Sequence, residues 1–277
     1  TSLFSITVGG ISYRFKNSNA DIDYESGKQT KFTITINKKA HSGKYEFSLV
    51  DVEIVDWEAD LEAHGGEARQ YFVVKMDEPG TLGAKIRATK KNPAKIKNLK
   101  VSGKICGVDF YYMRDSMTIL QAINLKETEI CATDQYAAHE IPNYAFAYKL
   151  GEGKSSLVHF VFPEIVYRIG EASFSATSLS GALIIPADVV EIGKYAFNKT
   201  LISSIEMPNK LKVIGDSAFQ DTQYLQCSIF LPDTLESIGQ RCFYKSAING
   251  EVVIPTLITK IPHACFNKSD ISSIIFN

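Results

Sequence analysis

Apolar and polar residues alternate in short, evenly placed runs along the second half of the chain. "HFVF", "ALII", "SIEM", "SIFL" and "EVVI" each stop at a proline: Pro163, Pro186, Pro208, Pro232 and Pro255. Proline offers no ladder donor, so it ends a strand. With a two-residue side-chain period, the residues one and three before each proline point to one face. They are Phe160 and Phe162, Leu183 and Ile185, Ile205 and Met207, Ile229 and Leu231, Val252 and Ile254; a final "SSIIF" adds Ile274 and Phe276. All are apolar, which predicts an inward row. The opposite face carries Val161, Ile184, Glu206, Phe230, Val253 and Ile275 two residues before the proline position. Four residues before it stand His159, Ala182, Ser204, Ser228, Glu251 and Ser273.

A second phrase sits between the strands. Ile followed by Gly or Pro, with Phe five residues after the Ile, occurs at Ile141/Phe146, Ile169/Phe174, Ile192/Phe197, Ile214/Phe219, Ile238/Phe243 and Ile261/Phe266, and the Ile spacings are 28, 23, 22, 24 and 23. A period of this length marks a solenoid, here with coils of about 23 residues. The slot after the Ile holds Gly170, Gly193, Gly215 and Gly239, but Pro142 and Pro262 in two coils. Since proline holds φ near −65°, the slot does not demand positive φ and reads as the opening of a short helical turn. Ala145, Ser173, Ala196, Ala218, Cys242 and Cys265 then fill a tight internal site before the stacked Phe. Cys242 and Cys265 fall in equivalent slots of adjacent coils, as buried thiols or as a disulfide.

"SGALIIPADVVEIGKYAF" at 180–197 resembles the BspA-like leucine-rich repeats of bacterial surface proteins, whose unit reads I-P-x-x-V-x-x-I-G-x-x-A-F. Members of that family often place Cys three residues after the Phe; Thr200, Thr222, Ser246 and Ser269 stand around those places here, so a role for such cysteines does not carry over. Residues 78–125 look like the lead-in segment of Bacteroidetes members, with "IKNLKV" and "LQAINL" as first solenoid strands and a helix at about 109–118 between them. The resemblance implies an α+β, mostly β fold: a leucine-rich-repeat solenoid over 77–277.

Residues 1–76 read differently. "ISYRF", "KFTITINKK", "YEFSLVDVEIVDW" and "YFVVKM", broken by polar turn stretches, predict a small antiparallel β domain. "GGISYRFKNSNADIDYESGKQTKFTITINKK", closing on "VEIVDWEAD", resembles part of the fimbrillin-like domains of Bacteroidetes surface proteins.

Composition narrows the function classes. Forty-five per cent hydrophobic residues and a net charge of −1 are enough for a core and give no global attraction to nucleic acid. No apolar run approaches the roughly 20 residues that cross a bilayer. Cys106, Cys131, Cys227, Cys242 and Cys265 show no metal-ligand spacing and read as free thiols. "LGEGKSS" at 150–156 lacks the first glycine of a phosphate loop and reads as a flexible insertion behind the 28-residue interval. Asp51, Glu53, Asp56, Glu58, Asp60 and Glu62 lack calcium-loop spacing and read as a solvated strand and turn. Eight Lys or Arg lie between Lys85 and Lys104 without an acid; they read as a polyanion contact or as a charged surface around the first coil. His41, His64, His139, His159 and His263 have no nucleophile or carboxylate at motif spacing.

The resemblance implies an extracellular module of the bacterial cell surface that binds protein or glycan, and the lack of a catalytic or metal-ligand pattern adds the expectation of a non-enzymatic role without cofactor, metal or nucleic acid. Val161, Ile184, Glu206, Phe230, Val253 and Ile275 form the candidate contact row, since five of the six are apolar where a soluble strand shows polar residues; β-propensity is the other explanation of that row. The alternative functions are a structural or assembly component of surface fimbriae, and a polymer hydrolase, for which convergent carboxylates are not visible.

Overall fold

The computed structural model describes residues 71–276 in full, together with the backbone of the strands Ser2–Val8, Ile11–Lys16, Lys28–Lys38 and Tyr45–Asp56. The chain divides into two compact units, Thr1–Ala59 and Asp60–Asn277. In the first, Ser2–Val8 pairs antiparallel with Ile11–Lys16, and Lys28–Lys38 pairs antiparallel with Tyr45–Asp56. The fimbrillin-like signature otherwise lies outside the described residues.

The second unit is a β-solenoid of about nine turns with coils of about 24 residues. Its first strand is a correction to the sequence reading. The run at 71–76, expected to close the amino-terminal β domain, supplies Phe72–Met76, which pairs in parallel with Asn98–Ile105, Phe72 opposite Leu99 and Met76 opposite Gly103. Buried Val74 and Met76 alternate with exposed Val73 and Lys75. Such alternation marks a half-buried strand but not the sheet it joins. Helix α1 (Leu82–Ala88) and helix α2 (Gly107–Ser116) link the first coils, α2 close to the predicted position.

From Ile141 onward the coil is regular. Glu140–Ile141, Arg168–Ile169, Glu191–Ile192, Val213–Ile214 and Ser237–Ile238 form one parallel sheet. Behind it the six phenylalanines stack: successive ring centroids from Phe146 to Phe266 are 5.4, 5.4, 5.4, 5.3 and 5.6 Å apart, and from Phe174 onward the planes agree within 9°. Phe110 of α2 closes the ladder edge-on to Phe146 at 6.0 Å. The residues expected inward are buried or partly buried through Ile254, whereas Ile274 and Phe276 on the strand Asp270–Phe276 are exposed. Among the described residues that strand has a neighbour on one side only.

The turn after each Ile is not helical. The residue three after the Ile has positive φ in all six coils: Tyr144, Ala172, Tyr195, Ser217, Arg241 and Ala264 lie between 50° and 57°. This conformation costs a non-glycine residue about 1–2 kcal/mol. It turns the amide toward the next coil, where Tyr144, Ala172, Tyr195, Ser217 and Arg241 donate to the carbonyls of Glu171, Lys194, Asp216, Gln240 and His263 at 2.7–3.0 Å. Thr177, Thr200, Thr222 and Ser246 donate to the carbonyl of the Phe three residues earlier at 2.7–2.8 Å, as does Ser269 to Phe266. Those hydroxyls occupy the slot where the resembled family often has Cys.

The glycine slot is where each coil lies closest to the backbone of the one before it. The amides of Gly170, Gly193, Gly215 and Gly239 donate to the Ile carbonyl of the preceding coil at 2.7–3.0 Å. Pro142 and Pro262 cannot donate, and they stand immediately before and after this run of four.

All five cysteines are free, with Cys242 and Cys265 buried. Burial pushes both thiols up, Cys265 to about 12 from an ordinary 9.0. The unfolded thiols therefore release protons first as pH rises, so this stability is complete below pH 9 and is lost between 9 and 12. Cys265 is expected to cost about 1 kcal/mol between pH 9 and 10, and Cys242, pushed up in the same direction, adds to that loss. The double variant Cys242→Ala/Cys265→Ala, which installs the residue of Ala196 and Ala218, is expected to remove at least about 1 kcal/mol of that loss. Urea midpoints at pH 8, 9 and 10 check it.

Candidate binding surface on the strand row

The prolines that end the long strands leave an outward face of parallel backbone. Its register joins residues far apart in sequence. Val161 lies opposite Asn124, Asn124 opposite Lys100, and Lys100 opposite Val73. Ile184 lies opposite Glu206 on the pair Ser180–Ile184 and Leu201–Glu206. Phe230 bridges to Val253, and Val253 lies opposite Ile275.

The candidate row is therefore not one ridge but three pieces. Phe230, Val253 and Ile275 run across three neighbouring strands; Phe230 is 78% exposed and Ile275 44%, with Val253 half-buried between them. Ile184, 59% exposed, stands beside exposed Glu206. Val161 is half-buried and adjoins buried Asn124 and Lys100. No strand pairing joins 201–206 to 228–230 among the described residues. The coil from Ile214 to Ile238 takes 24 residues where its predecessor takes 22, and the additional residues fall before Cys227.

The neighbouring row is small and polar. Ala182 lies opposite Ser204, and the Ser273 hydroxyl donates to Glu251 at 3.3 Å. Small residues beside Phe230 leave its ring standing above the sheet rather than packed into it.

At the carboxyl end of the first strands an open cleft of about 600 Å3 is lined by Gly103, Lys104, Lys126, Glu127 and Glu164, among others. Glu127 is held by the Lys100 ammonium at 2.9 Å. At its margin His139 has a buried Nδ1 without a hydrogen-bond partner, and its ring lies edge-on to Tyr167 at 5.3 Å. Among the described residues no three His, Cys, Asp or Glu side chains are grouped to hold a metal ion, and no helix is long and apolar enough to cross a membrane. Asp51, Glu53 and Asp56 occupy register positions opposite Thr33, Lys31 and Lys28. His41, Glu58, Asp60, Glu62 and His64 lie outside the described residues.

"LGEGKSS" is part of the packed fold rather than a flexible insertion. Ala147–Lys149 pairs antiparallel with Glu152–Gly153. This hairpin delivers buried Lys154 to the end of α2, where its Nζ donates to the carbonyls of Met117 at 2.6 Å and Arg114 at 3.1 Å. An ammonium there complements the negative end of the helix, although burial lowers its pKa to about 8. Asp109 serves the other end by accepting from the amides of Gly80, Leu82 and Cys106. Sequence reasoning missed this role because a lone Lys in a glycine-rich stretch carries no sign of the helix it caps.

The comparisons with known proteins agree with this geometry in part. A family model, the BspA type leucine rich repeat region, matches residues 139–274 in six copies. No curated protein matches the chain. Similar solved structures include a Treponema pallidum leucine-rich repeat protein (23% identity, 52% of this chain and 69% of that one, TM-score 0.40). Another is a leucine-rich repeat protein from Bacteroides ovatus (17%, 87% and 66%, TM-score 0.42). A third is a leucine-rich cell surface protein of Faecalibacterium prausnitzii (14%, 94% and 96%, TM-score 0.23). With the six-copy match lying on the coils that carry the phenylalanine ladder, residues 139–274 are a leucine-rich repeat region of the BspA type.

Proposed function

We propose that the chain is a non-enzymatic binding module of a bacterial cell surface, and that its strand row holds a protein or glycan partner. The observation that carries this reading is the row Phe230, Val253 and Ile275. An aromatic ring 78% exposed, at the end of a line that continues through Val253 and Ile275, spends no packing energy inside the fold. Exposed aromatics of this kind become anchors when a partner desolvates them. The solenoid itself supports an interaction role, since its coils differ mainly in what they present outward.

Phe230→Asp is expected to weaken binding at least tenfold on an array of neutral glycans and extracellular-matrix proteins, by analogy with aromatic anchors worth about 2 kcal/mol. Its far-UV circular dichroism should match that of the native chain. Unchanged binding with an unchanged spectrum removes Phe230 from the contact.

A further inference from the structure

The first coil carries a basic surface that the strand row does not use. Between Pro79 and Val108 there are eight Lys or Arg, no acid and no aromatic residue. The fold supplies acidic neighbours to three of them. Lys85 meets Asp77 at 2.6 Å, Lys100 meets Glu127 at 2.9 Å, and Lys104 lies opposite Glu129 in the parallel register. Arg87, Lys90, Lys91, Lys95 and Lys97 are all exposed, and none forms an ion pair among the described residues.

These five sit on an ordered path rather than a loose loop. The segment runs from the end of α1 through the short helix Pro93–Lys95 to the strand Asn98–Ile105. Buried Ile86 and Ile96 anchor it to the core. Lys90 N–H donates to Arg87 at 2.9 Å, Lys95 N–H to Asn92 at 3.0 Å, and the Asn92 side chain accepts from Ala94 at 3.0 Å. Five like charges held on eleven residues of fixed backbone repel one another, and a polyanion relieves that repulsion while releasing counterions.

We infer that the surface formed by Arg87, Lys90, Lys91, Lys95 and Lys97 binds a linear anionic polysaccharide, sulfated or carboxylated. Two features favour that partner over other polyanions. Single-stranded nucleic acid is gripped by aromatic residues that stack on bases, and the segment has none. An anionic membrane is gripped by charge together with apolar side chains that enter it, and no large hydrophobic residue between 87 and 97 is exposed. This surface is independent of the strand-row reading.

The probe is heparin. The intact chain should be retained on immobilised heparin at 50 mM NaCl and weaken about 100-fold by 200 mM, as five ionic contacts require. Lys90→Glu/Lys91→Glu/Lys95→Glu should lose at least about 100-fold in affinity at 50 mM with unchanged circular dichroism. Phe230→Asp should bind heparin as the native chain does. No retention at 50 mM NaCl, or full retention of the triple variant, overturns the proposal. Equal affinity for a DNA 30-mer or for phosphatidylserine vesicles overturns the assignment to polysaccharide.

Discussion

Phe219→Ala is expected to destabilise the solenoid by about 3–5 kcal/mol, the usual cost of emptying a buried aromatic site. Phe219 is completely buried, with Phe197 5.4 Å away on one side and Phe243 5.3 Å away on the other. Its neighbours cannot collapse into the gap, because the turn-face hydrogen bonds hold the spacing of the coils on both sides. The Phe219 amide itself donates to the Cys242 carbonyl at 2.9 Å, and Thr222 donates back to the Phe219 carbonyl at 2.8 Å. In a stacked array each coil is stabilised mainly by its neighbours, so a lesion at the middle of the ladder weakens both halves. Urea denaturation followed by circular dichroism reads the loss. A change below about 1 kcal/mol would mean that the ladder is filler rather than the spine of the fold.

Gly215→Ala is expected to cost about 3 kcal/mol, at the upper end of what overpacking does. Glycine is usually explained by its tolerance of positive φ, but Gly215 has none. The cause is distance: a Cβ on Gly215 would lie 2.5 Å from the Lys194 amide nitrogen and 2.7 Å from the Gly193 carbonyl carbon. Both are backbone atoms of the preceding coil and cannot rotate away. Gly239 is tighter still, at 2.2 Å from the Asp216 nitrogen. Moving the coils apart would stretch the 2.8 Å bond from the Gly215 amide to the Ile192 carbonyl and slacken the phenylalanine stack together. The same denaturation assay applies, and an alanine variant as stable as the native chain would show that the coils have room to separate.

These two residues also show how far the sequence could be read. The ladder was legible because a buried aromatic at a fixed period has few other meanings, and the inward strand row was legible from its two-residue alternation. The glycine was legible as a slot but not as a cause. A residue required by a neighbouring coil's backbone looks the same, one coil at a time, as one that opens a turn. The first coils were harder. Phe72–Met76 and α1 do not carry the repeated phrase, so the strand was assigned to the amino-terminal domain by alternation alone. Of the six residues in the candidate row, four are exposed and two half-buried, and the break between Glu206 and Phe230 falls at the long coil between Ile214 and Ile238, whose effect on pairing no residue type announces. The five uncompensated cations of the first coil stood in a visible basic strip. Which of its eight members lacked a counter-charge depended on Asp77, Glu127 and Glu129 arriving from other elements.

The central claim is that recognition belongs to the strand row and the turn face is scaffold. It is tested most directly by probing one glycan and matrix-protein array with the native chain, with Phe230→Asp, and with Lys199→Asp as an exposed turn-face control. The account predicts that Phe230→Asp loses the native signals other than those from anionic glycans, which the first coil holds, and that Lys199→Asp keeps all of them. Retention by Phe230→Asp with loss by Lys199→Asp would contradict it.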